Sequence, residues 1–412
     1  MSLELPPPHA PHPFFGVMND ALTIGKRSVA EVVAQAGRTP LYVYSRQYMT
    51  QRVEELRKAF PAALHLHYAM KANPMPAVVR HMAGLVDGLD VASAAEMKVA
   101  LEAGMSPQYV SFAGPGKTVE ELERAVAAGI VLNVESELEV ARLAEIARRT
   151  GVRARVAIRV NPDFELKTSG MKMSGGPKQF GVDAERVPEL LRTLATLPLV
   201  FHGFHIFSGS QNLRAEAIIE AQQKSVELAV RLAADAPAAV RLLNIGGGLG
   251  IPYFPGERPI DLAPIATHLA TLVPRIQASL PEAEIVMELG RYLVGESGLY
   301  VCRVIDRKVS RGRVFLVTDG GLHHHLAASG NFGQVIRKNY PVLVANKVRG
   351  RDREIATVVG PLCTPLDLLA DQMEMARAEP GDLIAVFQSG AYGLTASPLG
   401  FLSHPPPAEI LL

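Results

Sequence analysis

From about residue 40 to residue 285, eight short apolar runs alternate with amphipathic stretches, and this alternation restricts the fold more than any other feature of the chain. The runs predict strands near 64–70, 86–91, 109–113, 130–134, 154–160, 200–207, 240–245 and 284–288. Between them, "SAAEMKVALEAG", "TVEELERAVAAG" and "ELEVARLAEIARRTG" space their apolar residues for helices and close on a glycine suited to a C-cap. Thr118 and Glu121 fit a capping box. Eight such repeats predict an α/β fold, a (β/α)8 barrel over residues 38–285, ahead of a doubly wound open sheet. From 286 to 412 the texture changes to short β-rich runs such as "GLYVCRVIDRKVS" and "DLIAVFQSGAY", which predict a C-terminal all-β domain. Residues 1–37 carry the strand-like "FFGVMNDALTI" and are expected to join that domain.

A length of 412 residues suits two domains, and 48% hydrophobic with 20% charged residues is a globular composition. The net charge of +1 gives no case for nucleic acid or an anionic membrane. Only Cys302 and Cys363 are cysteines, so no disulfide framework is expected. The N-terminus lacks the pattern of a secretory signal and no apolar run reaches membrane length, which predicts a cytoplasmic protein.

Within "LHLHYAMKANP", period two puts His65, His67, Ala69 and Lys71 on one face and Leu64, Leu66, Tyr68 and Met70 on the other. On a surface strand Lys71 would simply reach water. At the C-terminal end of a barrel strand it points into the mouth where such barrels carry their chemistry. Other strand ends carry polar or glycine-rich segments: "GLDVAS" with Asp90, "FHGFHIFSGSQN", "NIGGGLGIP" with Gly246, Gly247 and Gly248, and "ELGR" with Glu288, Gly290 and Arg291. Glycines let backbone N–H groups approach an anion, and an arginine adds a charged fork. A lysine, an anion cradle and carboxylates in one barrel suggest pyridoxal phosphate.

The ordered motifs "YAMKAN", "DVASAAE", "GSQ", "NIGGGLGIPY", "ELGR", "GPLC" and "SGAYG" resemble those of the barrel-type pyridoxal phosphate decarboxylases, which include the diaminopimelate, ornithine and arginine decarboxylases. The resemblance covers about residues 38–412 and implies an alanine-racemase-like barrel, a C-terminal β domain and a homodimer with shared active sites. It implies that Lys71 forms the Schiff base, that Glu288 faces the pyridine nitrogen and that Asp90 lies close to the cofactor. It assigns Ser210, Gly246, Gly247, Gly248, Gly290, Arg291 and Tyr392 to the phosphate, and Cys363 to returning a proton to Cα in the partner's site. Cys302 has no such context and reads as a buried small hydrophobe.

The departures from the family bear on the substrate. Where the family stacks a histidine on the cofactor ring this chain has Phe207, with His205 two residues earlier, so either residue is a candidate to cover the ring. Thr364 replaces the usual acidic residue after the cysteine, and "DGGLHHHLAASG" and "SHPPPAE" hold no arginine for a distal carboxylate. A buried charge left without its partner is costly, so the far end of the substrate is expected to be neutral or outside the pocket. "GMKMSGGPKQFGVD", "GSQNL", "GGLHHH", "GPLCTPLD" and "SGAYGLTASP" resemble the branch that contains a decarboxylase of glutamyl groups tethered by thioester to an acyl carrier protein and also the exosortase-associated decarboxylases, whose substrate the resemblance leaves open.

Residues 302–353 hold eleven Lys or Arg against three Asp, a local balance of +8 that suits either an acidic carrier, with Arg337 and Lys338 the expected contacts, or a solvated basic β surface. His323, His324 and His325, with Thr364, are expected to line the substrate pocket; nothing completes a metal site around the histidines. The alternatives are a decarboxylase of free diaminopimelate, ornithine or lysine, a racemase on the same barrel, and a non-catalytic cofactor-binding protein.

Overall fold

A computed structural model describes residues 8–165, 171–172, 175–334 and 337–412. The chain divides into two compact units: residues 52–250 with 260–290, and the described residues up to 51 with 251–259 and 291–412. Part of the "GMKMS" motif lies outside the described residues.

The first unit is a closed barrel of eight parallel strands, β1 (Leu64–Ala69), β2 (Gly88–Val91), β3 (Val110–Phe112), β4 (Val131–Val134), β5 (Arg155–Asn161), β6 (Val200–Ile206), β7 (Leu242–Gly247) and β8 (Glu284–Leu289). Each strand pairs with the next, β8 pairs with β1, and all eight expected runs are strands. Seven helices follow the first seven strands: α1 (Pro76–Ala83), α2 (Ala94–Glu102), α3 (Val119–Ala128), α4 (Glu137–Thr150), α5 (Val187–Leu194), α6 (Ala215–Ala233) and α7 (Ala263–Ser279).

Local sequence starts and stops these helices where the barrel needs them. Ser93, Thr118 and Ser136 cap α2, α3 and α4 by accepting the N–H of Glu96, Glu121 and Glu139. The Thr118–Glu121 pair completes the expected capping box, and Gly129 ends α3 at φ 71°, a left-handed conformation that a β-carbon would disfavour. Inside the barrel, Val131, Ala157, Leu242 and Val286 from β4, β5, β7 and β8 form an apolar layer.

The second unit is built on an eight-stranded sheet. Its strands β9 (Gly298–Ser310), β10 (Arg313–Thr318), β11 (Val342–Val344), β12 (Arg353–Val359), β13 (Leu368–Ala376) and β14 (Leu383–Val386) run in the order β11-β14-β9-β10-β12-β13. Leu41–Tyr44 pairs with β9, and Ala408–Leu411 pairs with Leu41–Tyr44. A hairpin of Phe15–Met18 and Ala21–Ile24 and the helix Val29–Ala36 pack apolar side chains on Leu41, Val43, Leu299, Val301 and Phe387. Cys302 is fully buried in β9, where burial pushes its thiol pKa upward and makes it inert. No helix among the described residues is long and apolar enough to cross a membrane.

Candidate active site

Alternation along the strands decides what stands above the apolar layer of the barrel. Two residues beyond Val131, Ala157, Leu242 and Val286, toward the C-terminal strand ends, come Asn133, Arg159, Asn244 and Glu288. His67 on β1, Asp90 on β2, Ser111 on β3 and His205 on β6 complete a belt of one buried polar side chain per strand. Unpaired polar groups at that depth are costly, and the belt satisfies part of its own demand, with His67 Nε2, Asp90 Oδ2 and Asn133 Oδ1 left without a hydrogen-bond partner among the described residues. Asn133 Nδ2 donates to Ser111 Oγ at 3.1 Å, Ser111 Oγ donates to Asp90 Oδ1, and His67 Nδ1 lies 3.3 Å from the same carboxylate oxygen. Arg159 donates to Glu135 at 2.9 Å. Burial favours the neutral His67 ring, but the Asp90 charge, with Glu284 and Glu288 behind it, outweighs that effect and raises its pKa.

Glu288 is 7% exposed and lies where three polar groups converge. His205 Nε2 lies 3.1 Å from Oε2, Asn244 Nδ2 donates to Oε2 at 3.4 Å, and Lys71 Nζ lies 4.0 Å from Oε1. Burial opposes ionisation, yet the His205 contact and charge, then Lys71 and Arg159, prevail and hold the carboxyl at about 2. Lys71 sits in the turn Met70–Ala72 that ends β1, with its side chain 44% exposed. Its ammonium is 6.0 Å from the centroid of Phe207, which is half-buried just beyond β6. Thus His205 reaches inward to Glu288, while Phe207 stands toward the opening beside Lys71.

The glycine run lies at the end of β7. Gly248 has φ 77°, and a β-carbon there would sit 2.8 Å from the Gly209 carbonyl oxygen; one on Gly247 would collide with the Glu288 carbonyl oxygen. Asn244 Oδ1 accepts the N–H of Gly246 at 2.8 Å, so one amide ties the glycine turn to Glu288. Ser208, Gly209, Asn212, Gly247 and Gly248 line a small cavity beside this turn. Ser210 lies in a two-residue strand paired with Met171–Lys172. Gly290 packs where a β-carbon would be 3.1 Å from the Ala69 carbonyl oxygen.

Arg291, Tyr392, Cys363, Thr364 and the three histidines belong to the second unit. Arg291 Nη1 donates to the Tyr253 hydroxyl at 2.7 Å, and its guanidinium carbon lies 4.6 Å from the Tyr392 ring and 5.3 Å from the Tyr253 ring. Cys363 is exposed and Thr364 is half-buried. His323, His324 and His325 are fully buried. His325 accepts the Ala328 N–H on Nδ1 and so donates from Nε2 to Ser389 Oγ at 2.9 Å; His324 Nε2 is 3.0 Å from the Pro405 carbonyl oxygen. No group of three or more His, Cys, Asp or Glu that could hold a metal occurs among the described residues. Arg337 does not face outward as a docking contact. It is half-buried and donates to the carbonyl oxygen of Ser329, because the loop carbonyls at 328–329 need a donor.

Sequence reasoning missed Asn244, Ser111, Asn133, Arg159 and Tyr253, and gave His67 no role. For the barrel residues the signal was a polar residue at an inward position one to three residues before the strand end, on eight strands at once; Tyr253, in a loop of the second unit, carried no such signal. The barrel residues fit pyridoxal phosphate: a lysine amine at the mouth, a carboxylate held ionised 4.0 Å away, a flat aromatic ring beside the lysine and a glycine turn with no room for side chains.

Comparison with known proteins agrees. The sequence profile described as "Pyridoxal-dependent decarboxylase, pyridoxal binding domain" matches residues 46–295. The chain is 37% identical over 390 residues to an L-glutamyl-[BtrI acyl-carrier protein] decarboxylase of Niallia circulans, covering 93% of this chain and 91% of the relative. It is 36% identical over 406 residues to a diaminopimelate decarboxylase of Aquifex aeolicus, covering 97% and 93%. The crystal structure of diaminopimelate decarboxylase from M. jannaschii in complex with L-lysine superposes with a TM-score of 0.86 at 25% identity, covering 97% and 93%. With an alanine-racemase-like barrel, a β-rich second unit and these relatives, the chain belongs to the pyridoxal-dependent decarboxylases, and pyridoxal phosphate is its cofactor.

Proposed function

We propose that the substrate is an amino acid tethered as a thioester to an acyl carrier protein, glutamyl-like in its reacting end. The similarity to the Niallia circulans enzyme, 37% over 93% of the chain, carries this reading. The loop chemistry supports it: Thr364 follows Cys363, the segment 319–330 holds no arginine, and Arg337 is occupied by loop carbonyls. A free diamino acid is the second reading, favoured by the 36% identity to a diaminopimelate decarboxylase. Lys308, Arg311, Arg313 and Arg351 are exposed on the basic β9–β12 region and suit an acidic carrier.

Bound pyridoxal phosphate supplies the electron sink for the pair released when CO2 leaves. The chain's own residues do the rest. Lys71 Nζ would hold the cofactor covalently. Glu288, kept ionised and held by His205 and Asn244, would keep a proton on the ring nitrogen. Phe207 would flank the ring, and the Gly246–Gly248 turn would take the phosphate. Arg291, steadied by Tyr253 and Tyr392, binds an anionic group. Cys363 Sγ, exposed in its own chain, would deliver a proton to Cα.

CO2 release from the holoenzyme decides between the two substrate readings. The expected result is release from a glutamyl thioester on a carrier protein and none from free diaminopimelate, ornithine or lysine. Release from a free diamino acid alone would overturn the tether.

The sites are shared across a homodimer in this proposal; Cys363 is exposed in its own chain, which supports its serving the partner's site. Lys71→Ala and Cys363→Ala proteins, each inactive, should regain about a quarter of wild-type activity when mixed, since random pairing makes half the dimers mixed and each carries one intact site. No recovery in subunits shown by mass spectrometry to have exchanged would count against shared sites.

A further inference from the structure

We propose that Asp367 is a positioning residue that locks the histidine loop and the Cys363 loop of the second unit into one arrangement. Its Oδ1 accepts the N–H of Leu322 at 2.6 Å and its Oδ2 accepts the N–H of Leu362 at 2.8 Å. Leu322 directly precedes His323, and Leu362 directly precedes Cys363. One carboxylate therefore holds both loops by the residue next to the assigned functional group. Its own backbone joins the same knot, because Gly360 N donates to Asp367 O at 3.1 Å and Asp367 N donates to Thr364 O at 3.3 Å.

Two glycines make room for the carboxylate. A β-carbon on Gly321 would collide with Oδ1 and one on Gly360 with Oδ2, and each glycine also packs on the α-carbon of the other. Asp367 is 2% exposed, so a protein that needed only a surface turn here would have no use for a buried carboxylate. Burial raises its pKa, and the two backbone N–H donors work in the opposite direction. Arg337 fastens the far side of the histidine loop at Ala328 and Ser329, leaving Asp367 to fix the near side.

The inference rests on the assignment of Cys363 to proton delivery, and the test separates the two. In Asp367→Asn holoenzyme one acceptor becomes an amide donor facing an N–H. Hydrogen exchange in peptides spanning 318–330 and 360–368 is expected to quicken together by about tenfold, the worth of one hydrogen bond to a charged group. CO2 release is expected to lose about tenfold in kcat with cofactor content unchanged, and the loss should shrink to within about twofold in a Cys363→Ser background, because coupled residues are not additive. A purely structural Asp367 would give additive losses. Should Asp367→Asn fail to fold, Gly360→Ala displaces the same carboxylate and is expected to give the same pattern. Exchange unchanged in either loop, or additive losses in kcat, would overturn the proposal. Full activity in Cys363→Ser would instead overturn the role of Cys363, while the exchange result would still decide the lock.

Discussion

Replacing Lys71 with alanine is expected to lower CO2 release by about 10⁴-fold or more, the scale of losing a covalent catalytic group. The variant should also fail to keep the cofactor through gel filtration, as read by loss of its visible absorbance. The reason is local and geometric. Lys71 follows a strand buried along almost its whole length, in a turn that leaves the side chain 44% exposed, so alanine removes the amine without disturbing the core. The fold should be intact, with an unchanged circular dichroism spectrum. Retention of cofactor and more than about a tenth of the activity would remove Lys71 from its assigned role.

Replacing Glu288 with glutamine is the second large effect, expected at about 10²- to 10³-fold in kcat, the usual cost of removing a preorganised electrostatic partner. The amide keeps the size of the side chain and loses its charge, which is what holds a proton on the ring nitrogen in the proposed mechanism. The substitution also carries a pH signature. The folded carboxyl is held at about 2, below its ordinary 4.5, so its ionised form contributes stability above the ordinary value. That contribution fades as pH falls from 4.5 toward 2. The urea midpoint of the wild-type apoprotein should therefore drop more steeply over that interval than that of Glu288→Gln. Equal slopes would mean that His205, Lys71 and Arg159 do not set the charge of Glu288.

The same belt explains why one carboxylate carries so much. Glu288 is reached by His205 from β6 and Asn244 from β7, and it lies in register with His67 on β1. Asn244 also holds the Gly246 turn, so the ring-nitrogen partner and the phosphate cradle share a support. Phe207 and His205, the two sequence candidates for covering the cofactor ring, take different positions, and the inward one is committed to Glu288.

The sequence by itself determined the elements of the barrel and their order. Apolar runs with period two and amphipathic stretches closed by glycine are local signals, and all eight runs are strands, with the Thr118–Glu121 box capping α3 as expected. It also determined the chemistry class, because seven short motifs in order carry the lysine, the carboxylate and the glycine run. Only the tertiary structure decided which side chains meet. The sequence placed His67 on the Lys71 face but could not show its partner Asp90, 23 residues away, and Arg337 looked like a surface cation because the loop carbonyls it serves have no sequence signature. Asp367 reads as an ordinary turn residue until Leu322, 45 positions earlier, is seen to donate to it. Strand alternation fixes which face a residue takes, but closure of the barrel brings eight inward faces to one point, and that convergence depends on pairings far apart in the chain.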